Sequence, residues 1–498
     1  MSASTQNDNV HELKKKTVSG AISYMARTLV LYSIGLAASA VLGAYLTVSE
    51  FGIYGVVTQI IGLLTFFSDI GLASALIQKK DEPTKVEYRT VFTVQQALSW
   101  LIFLITVVLY FSRILEPKIG HAGAMVLLAL GLSFPLASLK TIPSVILERK
   151  LDFSKLVFPQ VIEQIAYSGL LIFFAMKGYG VASYTIAILA RSILGVVTMY
   201  WIQRWPFGIA WDKTALKEML GTGVKFQLND FLARIKDQLF YLVLGIYLPL
   251  NEFGYISFAK QWSMMPYQLT VQNVIAITFP TYARLQHDKS LLRKAIEKTL
   301  FFISLLIFPM LVGMCILIVP LTQLIVKYQK WQPALLTFFL FTLSIGWSAI
   351  STPLTNTLSA VGKINQTLRL MIIWTVLTWI LTPIGVIFFG FNGVALAAMA
   401  ISFTSVLPIY YVKKIVDIQV WENVWRQFVA AVVMSLVGVF LLPFMKSSFL
   451  QVGIGGLAMA VSYGTVLLVI GKQKLVTELQ SLRNRKQLSE AVLAPEKV

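Results

Sequence analysis

Charge is what this sequence has least of. Asp, Glu, Lys and Arg make up 13% of its 498 residues, against 57% hydrophobic, and mean hydropathy is +0.73. A soluble chain is about one-quarter charged, because its surface must be wetted. A soluble enzyme, a disordered chain and a fibrous repeat are therefore excluded. Cysteine is scarcer still: Cys315 stands alone, which excludes a disulfide scaffold and a cysteine-ligated metal. The three histidines, His11, His121 and His287, lie far apart in the chain and argue against a histidine metal centre. No nucleotide-binding loop is present either, so no cofactor is expected. What is abundant is long apolar runs, and the chain reads as an all-α integral membrane protein.

A bilayer core needs about 20 apolar residues per helix. Fourteen runs qualify, near 18–46, 52–77, 91–111, 124–147, 156–176, 182–203, 224–248, 253–281, 299–325, 333–361, 366–388, 392–412, 427–444 and 449–471. Lys14–Lys16 and Ala38-Ser39-Ala40 give the first run the flanks of a signal peptide, but it is too long for one and reads as an uncleaved span.

The net charge of +19 raises the question of nucleic acid. The basic residues lie between apolar runs rather than along one face, so no nucleic-acid partner is expected. Instead they fix an orientation. With the N-terminus inside, and the span-end residues Lys225 and Arg369 counted with the inner segments, 30 of the 42 Lys and Arg residues are inner, six lie in outer loops and six within spans. That asymmetry predicts cytoplasmic termini on both ends. No loop between spans exceeds about 20 residues, which leaves no room for an extramembrane catalytic domain, since domains start near 50 residues.

An internal repeat organises the chain. Val41-Leu42-Gly43-Ala44-Tyr45-Leu46-Thr47-Val48-Ser49-Glu50-Phe51-Gly52 aligns without gaps to Val243-Leu244-Gly245-Ile246-Tyr247-Leu248-Pro249-Leu250-Asn251-Glu252-Phe253-Gly254, identical at eight of twelve positions at an offset of 202. Spans 1 and 2 thus correspond to spans 7 and 8. Six spans per repeat is an even number, so the expectation is two six-helix lobes related by a two-fold axis along the membrane normal, with a substrate site between them. The expected organisation is a tail over 1–17, a first lobe over 18–203, an amphipathic cytoplasmic linker over 204–223, a second lobe over 224–414, two appended helices over 415–471 and a cytoplasmic tail over 472–498.

Ionisable side chains within spans cost roughly 2.5–3.5 kcal/mol each at mid-bilayer. The bases are Arg27, Lys140, Arg191, Arg234, Lys236 and Lys260; the acids are Asp69, Glu163, Asp230 and Asp237. The interior is net positive. Gln227, Asp230, Arg234, Asp237 and Tyr241 share one helical face, as do Gln160, Glu163, Gln164 and Tyr167, while Gln261 and Gln268 line the eighth span beside Lys260. The acids either carry a coupling cation or pair structurally, as Asp230–Arg234–Asp237 would by spacing. Lys140 is close enough to the inner face to snorkel. Arg27 and Arg191 have no acid one turn away in their own helices. Unless another helix supplies one, they are the stronger ligand candidates, and arginine's planar fork suits phosphate.

Several motifs carry a family resemblance: Asp69-Ile70-Gly71-Leu72-Ala73-Ser74-Ala75-Leu76-Ile77-Gln78-Lys79-Lys80, Thr90-Val91-Phe92, Leu147-Glu148-Arg149-Lys150-Leu151-Asp152-Phe153 and Phe279-Pro280-Thr281-Tyr282-Ala283-Arg284-Leu285-Gln286. Over roughly 15–415 the chain resembles the Wzx-type polysaccharide flippases of the multidrug/oligosaccharidyl-lipid/polysaccharide exporter superfamily. The resemblance implies two lobes around a central cavity, alternating between inward- and outward-open. It also implies a polyisoprenyl-diphosphate-linked oligosaccharide as substrate, surface polysaccharide biosynthesis as the setting and polymerase machinery as a partner. In related flippases cavity arginines hold the diphosphate. Arg27 and Arg234 occupy comparable places on spans 1 and 7, and Arg191 and Lys260 complete the candidate set. Gln59, Gln160, Gln164, Gln227, Gln261 and Gln268 would line the glycan path. The alternatives are a cation-coupled multidrug exporter, which would prefer an acidic cavity, and a membrane enzyme on the same glycan, which would need a larger outer loop.

Overall fold

The computed structural model describes residues 30–493, apart from 69–70, 80, 151, 215 and 218–234. Arg27, Asp69, Gln227, Asp230 and Arg234 lie outside the described residues. Helices are the regular secondary structure of the described residues. Eleven of them are long and apolar enough to cross a membrane, so the chain is a multi-pass membrane protein.

The chain divides after Gly254 into two compact units. The first contains α1 (Val30–Tyr45), α2 (Val48–Ser68), α3 (Leu72–Gln78), α4 (Lys85–Phe111), α5 (Glu116–Leu139), α6 (Thr141–Arg149), α7 (Phe153–Met176), α8 (Ala182–Ile202) and α9 (Phe240–Tyr247). Side-chain caps start two of these helices. Thr84 caps α4, accepting from the Glu87 amide while the Glu87 carboxylate accepts from the Thr84 amide; the same reciprocal box joins Thr47 and Glu50 at the head of α2. Two orphan amides are satisfied at each of these ends.

Two of the family motifs meet in this unit. Arg149, ending α6, donates to the carbonyls of Leu76 (2.7 Å), Ile77 (3.2 Å), Lys79 (2.8 Å) and Asp81 (2.9 Å). Carbonyls at and just beyond a helix end lack intrahelical amides, and a guanidinium has enough donors to satisfy several of them at once. Lys79 in turn pairs with Glu87. Leu72, Leu76, Val91, Ile142 and Val145 are buried beneath this clamp.

At the opposite end of α2 the twelve-residue repeat shows its use. A Cβ added to Gly52 would fall on the carbonyl oxygen of Leu250, and a Cβ added to Gly254 would fall on that of Val48. Each contact is the other displaced by 202 residues, so both copies of the motif cross backbone to backbone. Glycine is required there because any side chain would occupy the partner's carbonyl.

The second unit opens in α10 (Leu250–Tyr267), which spans the boundary. It continues through a π-helical turn (Gln268–Gln272) into α11 (Asn273–Leu285), then α12 (Lys289–Leu324), α13 (Leu335–Ala360), α14 (Ile364–Phe389), α15 (Asn392–Ser402), α16 (Val406–Lys413), α17 (Val420–Leu441) and α18 (Phe449–Leu493). The expected inner loop before span 9 is helical from Lys289, and the expected tail continues α18 to Leu493. The two appended helices pack on α12 through Ile316, Ala430, Met434, Met459 and Tyr463. Trp331 stacks on Phe258, centroids 4.0 Å apart, both buried.

Candidate functional site

The candidate charges that the structure brings together sit between α5, α7 and α8 of the first unit. Glu163, on α7, is 8% exposed. An isolated carboxylate there would pay several kcal/mol for desolvation, and two cations offset it. Lys140, at the end of α5, donates from Nζ to Glu163 Oε1 at 2.6 Å. Arg191, on α8, places Nε 3.7 Å from Glu163 Oε2. Gly195, one turn beyond Arg191, leaves room for both partners: a Cβ there would strike the Glu163 carboxylate and Lys140 Nζ.

This answers two expectations. Lys140 turns inward to a buried partner instead of snorkelling to the surface. Arg191 does have an acid, supplied from α7. The two cations are not equivalent, however. The Lys140 side chain is 18% exposed and hydrogen-bonded, whereas that of Arg191 is 46% exposed and held only loosely. One acid against two bases leaves the cluster with a surplus positive charge, and the surplus lies on the more open arginine.

An aromatic wall adjoins it. The Arg191 guanidinium lies over the Tyr167 ring, 5.4 Å from its centroid. The Tyr167 hydroxyl is 3.2 Å from that of Tyr54 on α2, and Tyr54 stacks on Tyr184 of α8 with centroids 3.7 Å apart and planes 13° from parallel. On the same helix as Glu163, Gln164 donates to Ser168 at 3.1 Å, and Gln160 Oε1 is buried without a hydrogen-bond partner among the described residues. Gln59 is half-buried on α2. The tyrosines at 54 and 184 escape a reading by helical stripes, because three different helices contribute one ring each.

The remaining candidates are elsewhere. Asp237 is exposed in a π-helical turn (Ile235–Leu239) that leads into α9. Lys260, Gln261 and Gln268 belong to the second unit, where Lys260 and Gln268 are half-buried and Gln261 is exposed. Among the described residues no cluster of three or more His, Cys, Asp and Glu side chains could hold a metal ion.

A succinoglycan biosynthesis transport protein, ExoT, of Rhizobium meliloti is 22% identical over 467 residues, covering 88% of this chain and 90% of that one. The lipopolysaccharide biosynthesis protein WzxC of Escherichia coli is 22% identical over 414 residues, 80% and 81% of the two chains. Among solved structures, the lipid II flippase MurJ in an inward closed conformation superposes with a TM-score of 0.69 at 17% identity, over 92% of this chain and 100% of that one. An inward-facing multidrug transporter of the MATE family gives 0.58 at 15% identity, over 84% and 96%. These likenesses establish the fold. Residues 41–336 match the family model described as polysaccharide biosynthesis protein, and the chain belongs to that family.

Proposed function

We propose that this chain is a flippase that moves polyisoprenyl-diphosphate-linked oligosaccharide units from the inner to the outer leaflet of a bacterial inner membrane, for surface polysaccharide assembly. The observation that carries the reading is the surplus cation inside the bilayer. Arg191 keeps nearly half its side chain open while its counter-ion is already satisfied by Lys140. An incoming diphosphate can take the guanidinium without stranding Glu163, because the 2.6 Å Lys140 contact persists. Arginine binds phosphate through two parallel N–H donors, stronger than a neutral hydrogen bond by about twofold. The rings of Tyr54, Tyr167 and Tyr184 and the amides of Gln160 and Gln164 give a bulky glycan stacking faces and hydrogen bonds. Arg27, Arg234 and Lys260 complete the proposed cation set.

The chain works without catalysis in this reading. Two lobes alternate their access, and both termini are cytoplasmic, as the Lys and Arg asymmetry requires. The acids Asp69, Glu163, Asp230 and Asp237 either carry a coupling ion or pair structurally, and polymerase machinery is the expected receiver of the product. The relatives' names as transport and biosynthesis proteins support the same class.

Proteoliposomes test it. The purified chain should flip a fluorescent polyisoprenyl-diphosphate oligosaccharide, and flip the matching monophosphate more slowly by about tenfold, the effect of losing one charge-assisted pair. Equal rates on both lipids would remove the diphosphate from the account. No flipping, with organic-cation export driven by an ion gradient, would replace it with the multidrug reading.

A further inference from the structure

Beyond α8 the chain does not leave the first unit at once. Residues 203–212 run as an extended strap back across the head of α4. Trp205 is buried against Phe92, centroids 5.4 Å apart, and Phe207 stacks on Tyr200 at 5.2 Å. Two backbone amides then fasten the strap to one turn of α4: Ala210 donates to Thr93 Oγ1 (3.3 Å) and Asp212 to Thr90 Oγ1 (3.2 Å). That pins alternate residues inward and leaves Phe207, Ile209 and Trp211 outward, exposed by 58%, 84% and 60%.

Arg89 lies directly under this row. Its guanidinium rests on Gly208, so closely that a Cβ at 208 would land on its Nε and Cζ. It is half-buried; its carbonyl accepts from Thr93 Oγ1 at 2.8 Å, while its guanidinium forms no ion pair or hydrogen bond with another described residue. The nearby acids are engaged: Glu87 pairs with Lys79, and Asp212 accepts from the Thr214 amide at 2.9 Å. Exposed Arg204 and Lys213 flank the strap. An arginine whose guanidinium has no partner among the described residues, set at the ends of two membrane-crossing helices beneath three outward apolar side chains, is complementary to one kind of molecule: a phosphate at headgroup depth with acyl chains beside it.

We propose that the strap is a binding site for an anionic phospholipid of the surrounding bilayer, with Arg89 holding the phosphate and Phe207, Ile209 and Trp211 at the headgroup–acyl boundary. Gly208 is the residue that lets Arg89 reach it. The inference is independent of the transport reading, since it requires only that α4 and α8 cross a bilayer.

The test places a bimane label at Ile209→Cys in a Cys315→Ser chain, reconstituted with brominated phosphatidylglycerol or brominated phosphatidylcholine. Phosphatidylglycerol should quench at a mole fraction lower by about fivefold, the preference one basic residue gives near a surface. Arg89→Gln should bring the two lipids near parity while leaving phosphatidylcholine quenching unchanged, which shows the fold intact. Gly208→Ala should do the same with Arg89 still present. Equal quenching in the parent chain, or an undiminished preference in Arg89→Gln, overturns the proposal. So does relief of quenching by inorganic phosphate beyond that by chloride of matched ionic strength, which would mean a soluble anion. Relief by a trace of polyisoprenyl diphosphate also overturns it, by making the strap a place for the lipid-linked glycan instead.

Discussion

The two units hold their helices together with different polar chemistry. In the first, a buried carboxylate ties α5, α7 and α8 by charge, with Lys140 and Arg191 around Glu163. In the second, several described contacts between helices use hydroxyls: Tyr267 donates to Thr352 (3.0 Å), Trp374 to Thr404 (2.8 Å) and Thr337 to Asn392 (2.6 Å), while Lys474 of α18 donates to Asn423 of α17 (2.7 Å) near the helix ends. The described ion pairs of the second unit gather near one end of α12, where Arg293 meets Glu297 at 2.9 Å and Lys298 meets Glu478 at 3.7 Å. Hydroxyl contacts are neutral and can be broken at small cost. A buried charge cluster is costly to build and collapses if one member goes, so its presence in the first unit asks for a purpose beyond cohesion.

Removing the shared acid should show this contrast most strongly. Glu163→Ala leaves Lys140 and Arg191 facing each other without their shared acid, and a loss of about 3–5 kcal/mol is expected from a broken buried pair. In the second unit, Thr352→Val removes a hydroxyl partner of Tyr267 and should cost about 1 kcal/mol. Thermal unfolding of both variants in the same detergent measures the difference; equal shifts would erase the distinction between the units.

The backbone crossing in the first unit comes next. Gly52→Ala and Gly254→Ala each drive a methyl group into a carbonyl, for an expected cost of about 1–3 kcal/mol apiece. Because the two contacts are reciprocal, their effects should be similar, and the double variant should not be additive, since one displacement relieves both. Gly453→Ala in α18 is the control: an added Cβ meets nothing within 4 Å, so the same substitution should stabilise by up to about 1 kcal/mol through helix propensity. A destabilised control or unequal crossing variants would count against the geometry.

Much of this was legible in the sequence, and the reasons for the exceptions are physical. Apolar length is local, so the membrane class could be read directly; fourteen spans were expected, and among the described residues eleven helices are long and apolar enough to cross a membrane. The repeat was visible as Gly43, Gly52, Gly245 and Gly254, although only coordinates show that Gly52 and Gly254 face one another's strand of backbone. The Lys140–Glu163 pair joins residues 23 positions apart on different helices, beyond the reach of i,i+4 reasoning, and so Lys140 read as a surface-seeking lysine. Arg149 read as part of a recognition motif; its work is to hold the carbonyls that end α3. The helix Lys289–Leu324 exceeded its expected span because its first turns are charged and amphipathic, which hydropathy alone scores as loop.

A smaller effect sharpens the picture near the Arg149 clamp. Glu148 is half-buried, and burial raises its carboxyl above the ordinary value of 4.5. A raised pKa means the folded chain binds the proton more tightly than the unfolded one, so ionisation costs stability as pH rises from about 4.5 through the folded value. Glu148→Gln should therefore stabilise the chain modestly at pH 7 and lose that advantage below about pH 4. Melting temperatures of the two chains across that range check the sign; an advantage that grows on acidification would contradict it.

We propose that Arg191 is the cluster's working charge and Lys140 its structural one. The most direct test is the flipping rate of a fluorescent polyisoprenyl-diphosphate oligosaccharide in proteoliposomes for the parent chain, Arg191→Ala and Arg191→Lys. Arg191→Ala should melt within about 1 kcal/mol of the parent, because its ion pair is loose and half-exposed. Its flipping rate should fall by about tenfold or more, with partial recovery in Arg191→Lys, which restores charge without the planar fork. A well-folded Arg191→Ala chain that flips at the parent's rate would contradict the account.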